Sequence, residues 1–238
     1  MKKILVFTIS LLIQVYSFGQ SKLIQLLDKG DSIENLIPDK WKMLSSVNGD
    51  LNKDGISDIA FVIENTDSKN IELNESGLGR DTINLNPRIL GIYFRNQKGK
   101  LIKKLQSNEF IILQDSPTMD EPFDGVKILE NGVLKIDFKF WYSAGSWSMS
   151  YHTYKFRFQN NKFELVAYKA EESHRGTNES TDYNINFLTG KMGIIKTTFD
   201  ENKIRKYEEE NKDFILKQLK SIQSLRKPFE WEFNGIYL

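Results

Sequence analysis

The sequence predicts a mainly β fold, and two observations indicate it. Between Trp41 and Phe199, short runs rich in β-branched and aromatic residues are separated by turn residues, which is the pattern of strands. Several of these runs are joined by Asn-Gly or other Gly-containing pairs, which supply the positive φ that tight hairpins require. We therefore expect an antiparallel meander of sequential hairpins. Helical spacing appears only near the two ends, so the predicted class is α+β overall.

The N-terminus has the three parts of a signal peptide over residues 1–19. Lys2 and Lys3 give a positive start, an apolar run follows, and Ser17 and Gly19 are small residues that a signal peptidase accommodates. The apolar run is about twelve residues, shorter than the roughly 20 that a helix needs to cross a bilayer. We therefore expect cleavage after residue 19, which leaves a single domain over residues 20–238.

The expected localisation is extracytoplasmic, either periplasmic or secreted. The segment Ser17-Phe18-Gly19-Gln20 resembles the ends of signal peptides in Bacteroidota, and the rest of the chain resembles exported bacterial proteins. No cysteine is present to carry a lipid anchor, and no later stretch is apolar enough to cross a membrane. The mature form is therefore expected to have no membrane span.

The elements are predicted in chain order. Residues 22–44 are expected to be helical or irregular and to pack on a sheet, with Pro38 as a stop signal. Polar stretches at 64–87 and 114–125 are expected to be long surface loops. The predicted strands are 59–63, 89–94, 101–105, 110–113, 133–142, 148–158, 163–169, 183–188 and 192–199.

Near the C-terminus the apolar period changes to three and four residues. The residues concerned are Ile204, Tyr207, Phe214, Ile215, Leu219, Ile222 and Leu225. This spacing predicts an amphipathic helix over about 201–226 that covers the sheet and ends before Pro228. Phe229, Trp231 and Phe233 then alternate with glutamates, which predicts a last strand returning to the sheet.

Composition excludes some classes of function. Removing residues 1–19 changes the formal charge from +1 to −1, and nucleic-acid affinity depends on clustered Lys and Arg, so no nucleic-acid partner is expected. With no cysteine, an exported chain has no disulfides to support its core. A bound metal is one way to supply such a cross-link.

Residues 50–58 carry the clearest chemical signal. Asp50, Asn52, Asp54 and Asp58 place side-chain oxygens at relative positions 1, 3, 5 and 9. Gly55 at position 6 permits the sharp bend, and the carbonyl of Ile56 at position 7 is the expected main-chain ligand. Calcium prefers six to eight such oxygens, so the segment predicts a Ca2+ site. A metal-free Asx-rich turn is the alternative, but it does not require three carboxylates to lie close together.

The pattern Asp-x-Asn-x-Asp-Gly-x-x-Asp, followed directly by an apolar strand, resembles the calcium loop of FG-GAP and VCBS repeats in integrin-like β-propellers. The resemblance covers residues 49–63 in a single copy. It implies a blade-like hairpin whose calcium ligands are Asp50, Asn52, Asp54, the Ile56 carbonyl and Asp58. A full EF-hand is not expected, because Phe61 stands where its bidentate Glu belongs.

No catalytic motif is found, and we assign no catalytic residues. His152 lies in an aromatic hairpin over 140–158 and is expected to be a structural imidazole. Glu171, Glu172 and His174 form a polar cluster that is either a solvated turn or an acid–base group. The aromatic hairpin is either core or a platform for a sugar or peptide, and its candidate residues are Trp141, Tyr142, Trp147, Tyr151 and Tyr154.

Two functions are therefore expected. The first is an exported, non-enzymatic module with one structural calcium, which binds a protein or glycan ligand or stabilises a cell-envelope assembly. The alternative is an exported hydrolase that uses Glu171, Glu172 and His174, and it predicts that these three side chains line one concave pocket.

Overall fold

The structure is a computed structural model that describes residues 24–238, so the predicted signal peptide lies outside the described residues. The described chain is mainly β, as predicted. Its strands are β1 (Lys29–Gly30), β2 (Trp41–Gly49), β3 (Asp58–Asn65), β4 (Ile71–Leu73), β5 (Thr82–Asn84), β6 (Arg88–Arg95), β7 (Leu101–Ser107), β8 (Phe123–Ile128), β9 (Val133–Phe140), β10 (Ser148–Gln159), β11 (Lys162–His174), β12 (Ser180–Asn186), β13 (Lys191–Phe199), β14 (Arg205–Asp213), β15 (Glu232–Phe233) and β16 (Ile236–Tyr237). The helical elements are two 3-10 turns, Glu34–Leu36 and Ser68–Asn70, and one short α-helix, α1 (Ile222–Leu225).

The first sheet has the strand order β1-β7-β6-β3-β2, and all its pairs are antiparallel. Its strand β3 is buried along both faces, because the sheet is covered on both sides. Ala60 and Val62 face the second sheet, whereas Phe61 and Ile63 face a smaller cluster with the N-terminal segment. A continuous apolar run, rather than an alternating one, is what such a two-sided strand requires.

The second sheet is an antiparallel meander in the order β14-β13-β12-β11-β10-β9-β8. The predicted sequential hairpins are therefore confirmed. Ile136, Tyr154, Phe156 and Tyr168 line its inner face and are almost fully buried against the first sheet. The strands β10 and β11 are long, with 12 and 13 residues, and they extend beyond this core.

Two predictions in the first half of the chain are wrong: the N-terminal helix and the strand at 110–113. The N-terminal segment forms no α-helix among the described residues; instead it contains β1 and a 3-10 turn and places Leu26 and Leu36 on the first sheet. The predicted packing of this segment on a sheet is confirmed, but its helical character is not. Residues 110–113 are not a strand either: Phe110 fills the space between the sheets, with its ring centroid 5.5 Å from that of Tyr154.

The predicted helix over 201–226 is the largest error. Residues Arg205–Asp213 form β14, paired with β13 along its whole length, and only Ile222–Leu225 are α-helical. The helical spacing was misleading because its apolar residues do not share a face: Phe214 packs on Phe187 and Phe233, whereas Ile215 is 98% exposed. The last strand also pairs differently, since β15 and β16 form their own small hairpin. The α+β class is therefore replaced by a mainly β class.

The two predicted loops differ in how much regular secondary structure they contain. The stretch 64–87 contains a small β4–β5 hairpin, and 114–125 is irregular until β8 begins. Within residues 24–238, no helix is long and apolar enough to cross a membrane.

Candidate functional site

The predicted calcium loop joins β2 to β3 at one end of the first sheet. The pair Gly49 and Asp58 closes the antiparallel ladder just before the loop. Gly49 touches the second sheet so closely that a Cβ there would lie 2.6 Å from the side chain of Ile128. Gly132, in the turn between β8 and β9, similarly approaches the carbonyl of Asp50. The start of the loop therefore packs against the second sheet, whereas residues 53–55 at its tip are exposed.

Asp50 closes the loop on itself. Its Oδ1 accepts hydrogen bonds from the main-chain N–H groups of Lys53 (2.7 Å) and Asp54 (3.2 Å), and its Oδ2 accepts one from Gly55 (2.8 Å). Lys53 and Gly55 both have positive φ, of 65° and 83°, which turns the chain around the carboxylate. This conformation favours glycine at position 55, as the sequence pattern indicated.

Asn52 and Asp54 form the exposed rim of the loop. Asn52 Nδ2 donates to Asp54 Oδ2 at 2.9 Å, and Asp54 Oδ1 accepts from the N–H of Ile56 at 2.8 Å. Each carboxylate oxygen has a second lone pair, so these bonds leave acceptor capacity on Asp54. The side chain of Asn52 presents Oδ1 to the N–H of Asp54.

Asp58 differs from the other loop carboxylates because it is fully buried. Its Oδ2 accepts from the N–H of Leu51 at 2.9 Å, and its Oδ1 accepts from the N–H of Arg95 on β6 at 3.0 Å. Burial raises the pKa of Asp58 above its usual value, partly opposed by these hydrogen bonds, and the charge of Asp54 raises it further. Asp58 therefore connects the loop to the neighbouring strand.

The donor chemistry fits calcium, since every predicted ligand is an oxygen. The carboxylates, however, do not converge: no group of three or more His, Cys, Asp or Glu that could hold a metal ion occurs among residues 24–238. Calcium binding would therefore have to use the amide of Asn52 and the carbonyl of Ile56 beside the acids, as the resemblance implies.

A second candidate site is a concavity of about 430 Å3 on the second sheet. It lies where the inner face of β10 to β13 continues beyond the apolar core. One row across these strands is Ser150, Glu172, Thr181 and Lys196, and the next row outward holds Ser148, His174, Glu179 and Thr198. The volume lies within the range of roughly 300–1,000 Å3 that is typical of small-molecule sites.

The predicted Glu171, Glu172 and His174 cluster is divided by strand alternation. Glu172 and His174 line the concavity, but Glu171 lies on the opposite face of β11, paired with Tyr151 and Asp182. The expectation that all three share one pocket is therefore wrong. Glu172 retains exposed surface, yet partial burial on the concave face raises its pKa.

His174 has a defined acceptor nitrogen. Its Nδ1 lies 3.1 Å from the main-chain nitrogen of Thr177, which can only donate. In neutral His174 the proton is therefore on Nε2, which is left as a donor.

His152 is buried, as the sequence predicted. Its Nδ1 is 2.7 Å from the Tyr168 hydroxyl and its Nε2 is 2.8 Å from the Ser150 hydroxyl. Burial lowers the pKa of His152 to about 4, so this imidazole is neutral near pH 7 and poorly matched to acid–base work at that pH. Its bonds fix the orientation of Ser150 at the floor of the concavity.

The aromatic hairpin over 140–158 is partly core and partly surface. Tyr154 is fully buried, whereas Tyr151 lies on the outer face, where Lys139 Nζ is 5.6 Å from its ring centroid. Trp147 is 65% exposed beside the concavity, with its ring centroid 6.4 Å from that of His174. The Trp141 ring is covered by the guanidinium of Arg175. The five candidates therefore do not form one platform.

Sequence reasoning missed most of the concavity. Glu179 immediately precedes β12, Thr181 lies on β12 and Lys196 lies on β13, and nothing in the local sequence marks them as neighbours of Glu172 and His174 on β11. The available signal was alternation, which assigns residues to faces but not to rows. Comparison with family models, with curated proteins and with solved structures found no match to this chain.

Proposed function

We propose that this chain is an exported, non-enzymatic β-sheet module that is stabilised by one calcium ion in the loop 50–58 and that binds a ligand on its surface. The calcium ligands in this proposal are Asp50, Asn52, Asp54, the Ile56 carbonyl and Asp58. The observation that carries it is the closure of the loop around Asp50, which accepts N–H groups from three successive residues.

Calcium in this position would act as a local staple. Extracellular modules bind calcium with Kd near 10⁻⁴ to 10⁻³ M, so millimolar calcium would add about 0.4 to 1.4 kcal/mol to the free energy of unfolding. For a chain of this size that corresponds to a rise in Tm of roughly 1 to 5 °C. The loop contacts both sheets through Gly49 and Gly132, so stiffening it would restrain their relative position.

The first test is a thermal melt in millimolar calcium and in EGTA. We expect the calcium-dependent rise in Tm in the wild type and its loss in Asp54→Ala, because Asp54 is an exposed ligand with few other contacts. Asp67→Ala is the matched control, since Asp67 also caps a main-chain N–H, that of Lys69, outside the loop. Equal Tm values for the wild type with and without calcium would overturn the proposal.

A hydrolase remains the second candidate, favoured by one observation. Glu172 has a raised pKa and shares a concave face with His174 and with Glu179, which takes the place that the sequence gave to Glu171. A carboxyl group that stays protonated to higher pH is suited to general-acid work. Hydrolysis of any polymer that Glu172→Gln abolishes and Glu171→Gln leaves intact would replace the non-enzymatic proposal.

A further inference from the structure

We propose that the concavity binds a neutral carbohydrate chain, with Trp147 stacking on a sugar ring at its rim and the hydroxyl-lined strands contacting the adjoining sugar. This rests on the proposed ligand-binding role of the module, and it adds the class of ligand and the place where it binds.

Trp147 is a large apolar side chain that the fold holds outward. Its main-chain carbonyl accepts a hydrogen bond from the N–H of Arg175 at 2.8 Å. The same arginine uses Nη2 to bind the carbonyl oxygens of Tyr142 and Ser146, at 2.8 and 2.5 Å. The loop before β10 is thereby fixed, although Trp147 itself contributes little to the core, being 65% exposed.

An exposed indole on a main chain held by hydrogen bonds is suited to stack on the C–H face of a pyranose. Aromatic rings combine a large contact area with few rotatable bonds, so little entropy is lost when they bind. Gly176 keeps the neighbouring surface open: a Cβ there would lie 3.6 Å from the Trp147 ring and 3.1 Å from the His174 ring. The Trp147 ring therefore lies beside His174, which lines the concavity, and 65% of the residue remains exposed.

The concavity itself presents the groups that recognise sugar hydroxyls. Ser150, Thr181 and Thr198 each offer a hydroxyl that can donate and accept, and Glu172 offers a carboxylate acceptor. His174 contributes the Nε2–H donor described above. Ser150 is pre-positioned by its bond to the buried His152, which reduces the ordering cost of binding.

Charge argues against an acidic ligand. Two carboxylates, those of Glu172 and Glu179, face the same space as one ammonium, that of Lys196, so negative charge is in excess. A polyanion would be repelled by this excess. A neutral polyhydroxyl chain meets no such penalty.

The test measures binding by the full mature chain to a panel of neutral hexasaccharides built from glucose, mannose, xylose or N-acetylglucosamine. We expect at least one to bind, and Trp147→Ala to weaken it about tenfold. Tyr207→Ala is the matched control, because Tyr207 is a similarly exposed aromatic (63%) on β14. Glu172→Gln should weaken binding, while Glu171→Gln, one residue away on the opposite face, should not.

Three results would overturn this inference: no binding to any member of the panel, binding that Trp147→Ala leaves unchanged, or binding of acidic oligosaccharides or peptides alone. The measurement is repeated in calcium and in EGTA, since the loop 50–58 lies on the other sheet. Sugar binding by a protein whose Tm does not change with calcium would leave this inference standing and remove the metal from the proposed function. A calcium-dependent Tm without sugar binding would remove only the sugar site.

Discussion

Asp58 and Glu64 occupy opposite ends of β3 and are equally buried, with 0% and 2% of their surface exposed, but their charges are stabilised in different ways. Asp58 receives two main-chain N–H groups and, among residues 24–238, no cation. Glu64 receives Lys42 at 2.8 Å and the guanidinium of Arg88 at 2.8 Å.

The pKa values of the two groups shift in opposite directions. Burial raises the pKa of Asp58 more than its hydrogen bonds lower it. Burial also acts to raise the pKa of Glu64, but hydrogen bonds from Lys42 and Arg88 and the charges of both cations lower it below its usual value. Main-chain dipoles thus leave the Asp58 charge incompletely compensated, which is the situation in which a nearby cation such as calcium has most to add.

Arg88 gives the largest expected effect. It also binds Glu121 through both terminal nitrogens, at 2.6 and 2.8 Å, so it joins β6 to the segment before β8. Replacing it by Met would leave Glu64 buried beside a single lysine, and breaking a buried pair in this way costs about 3–5 kcal/mol.

Urea unfolding measures this loss, with Lys42→Met as the control. Lys42 is 55% exposed and is expected to cost less than about 1 kcal/mol. If the two variants lost equal stability, the compensation at Glu64 would not depend on the buried arginine.

Glu64 and Arg88 also show what the sequence could not reveal. They are direct partners across β3 and β6, but they are 24 positions apart in the chain, with the β4–β5 hairpin between them. The apolar runs 59–63 and 89–94 predicted both strands correctly, because continuous burial leaves a local pattern. The register that pairs Glu64 with Arg88 at the ends of these strands leaves no pattern in the local sequence.

The C-terminal region shows a second limit. Ile204, Tyr207 and Phe214 have helical spacing by coincidence, and pairing with β13 determines the structure instead. The helical pattern of this segment is overridden because the edge of the second sheet, β13, pairs with one more strand. The turn at 50–58 was easier to predict, because Asp50 and Gly55 shape it through contacts within nine residues. Its calcium ion stays a prediction.

Replacement of Asp58 is expected to cause the second-largest loss of stability. Asp58→Ala removes the acceptor for the N–H groups of Leu51 and Arg95, and each buried donor left unsatisfied costs about 1–3 kcal/mol. Removal of an incompletely compensated charge offsets part of this, so we expect a net loss of about 2 kcal/mol.

Chemical denaturation in EGTA measures that loss without any contribution from metal. Asp54→Ala is the comparison within the loop, because Asp54 is exposed, and it should cost less than about 1 kcal/mol. A larger loss for Asp54 than for Asp58 would mean that the rim, and not the buried carboxylate, holds the loop in place.

The pH dependence of Glu64 is the smallest effect and the most specific. A carboxyl group whose pKa is lowered by folding stabilises the protein above its ordinary pKa of 4.5, and that contribution is lost as the pH falls through the lower folded value. Because other acids titrate in the same range, the quantity to measure is the difference in unfolding free energy between the wild type and Glu64→Gln. We expect the wild type to be more stable near neutral pH and the difference to shrink progressively below pH 4.5. A difference that stays constant on acidification would mean that Glu64 stabilises the protein through packing and hydrogen bonds alone. Its charge would then contribute no more to stability than the charge of Asp58 does.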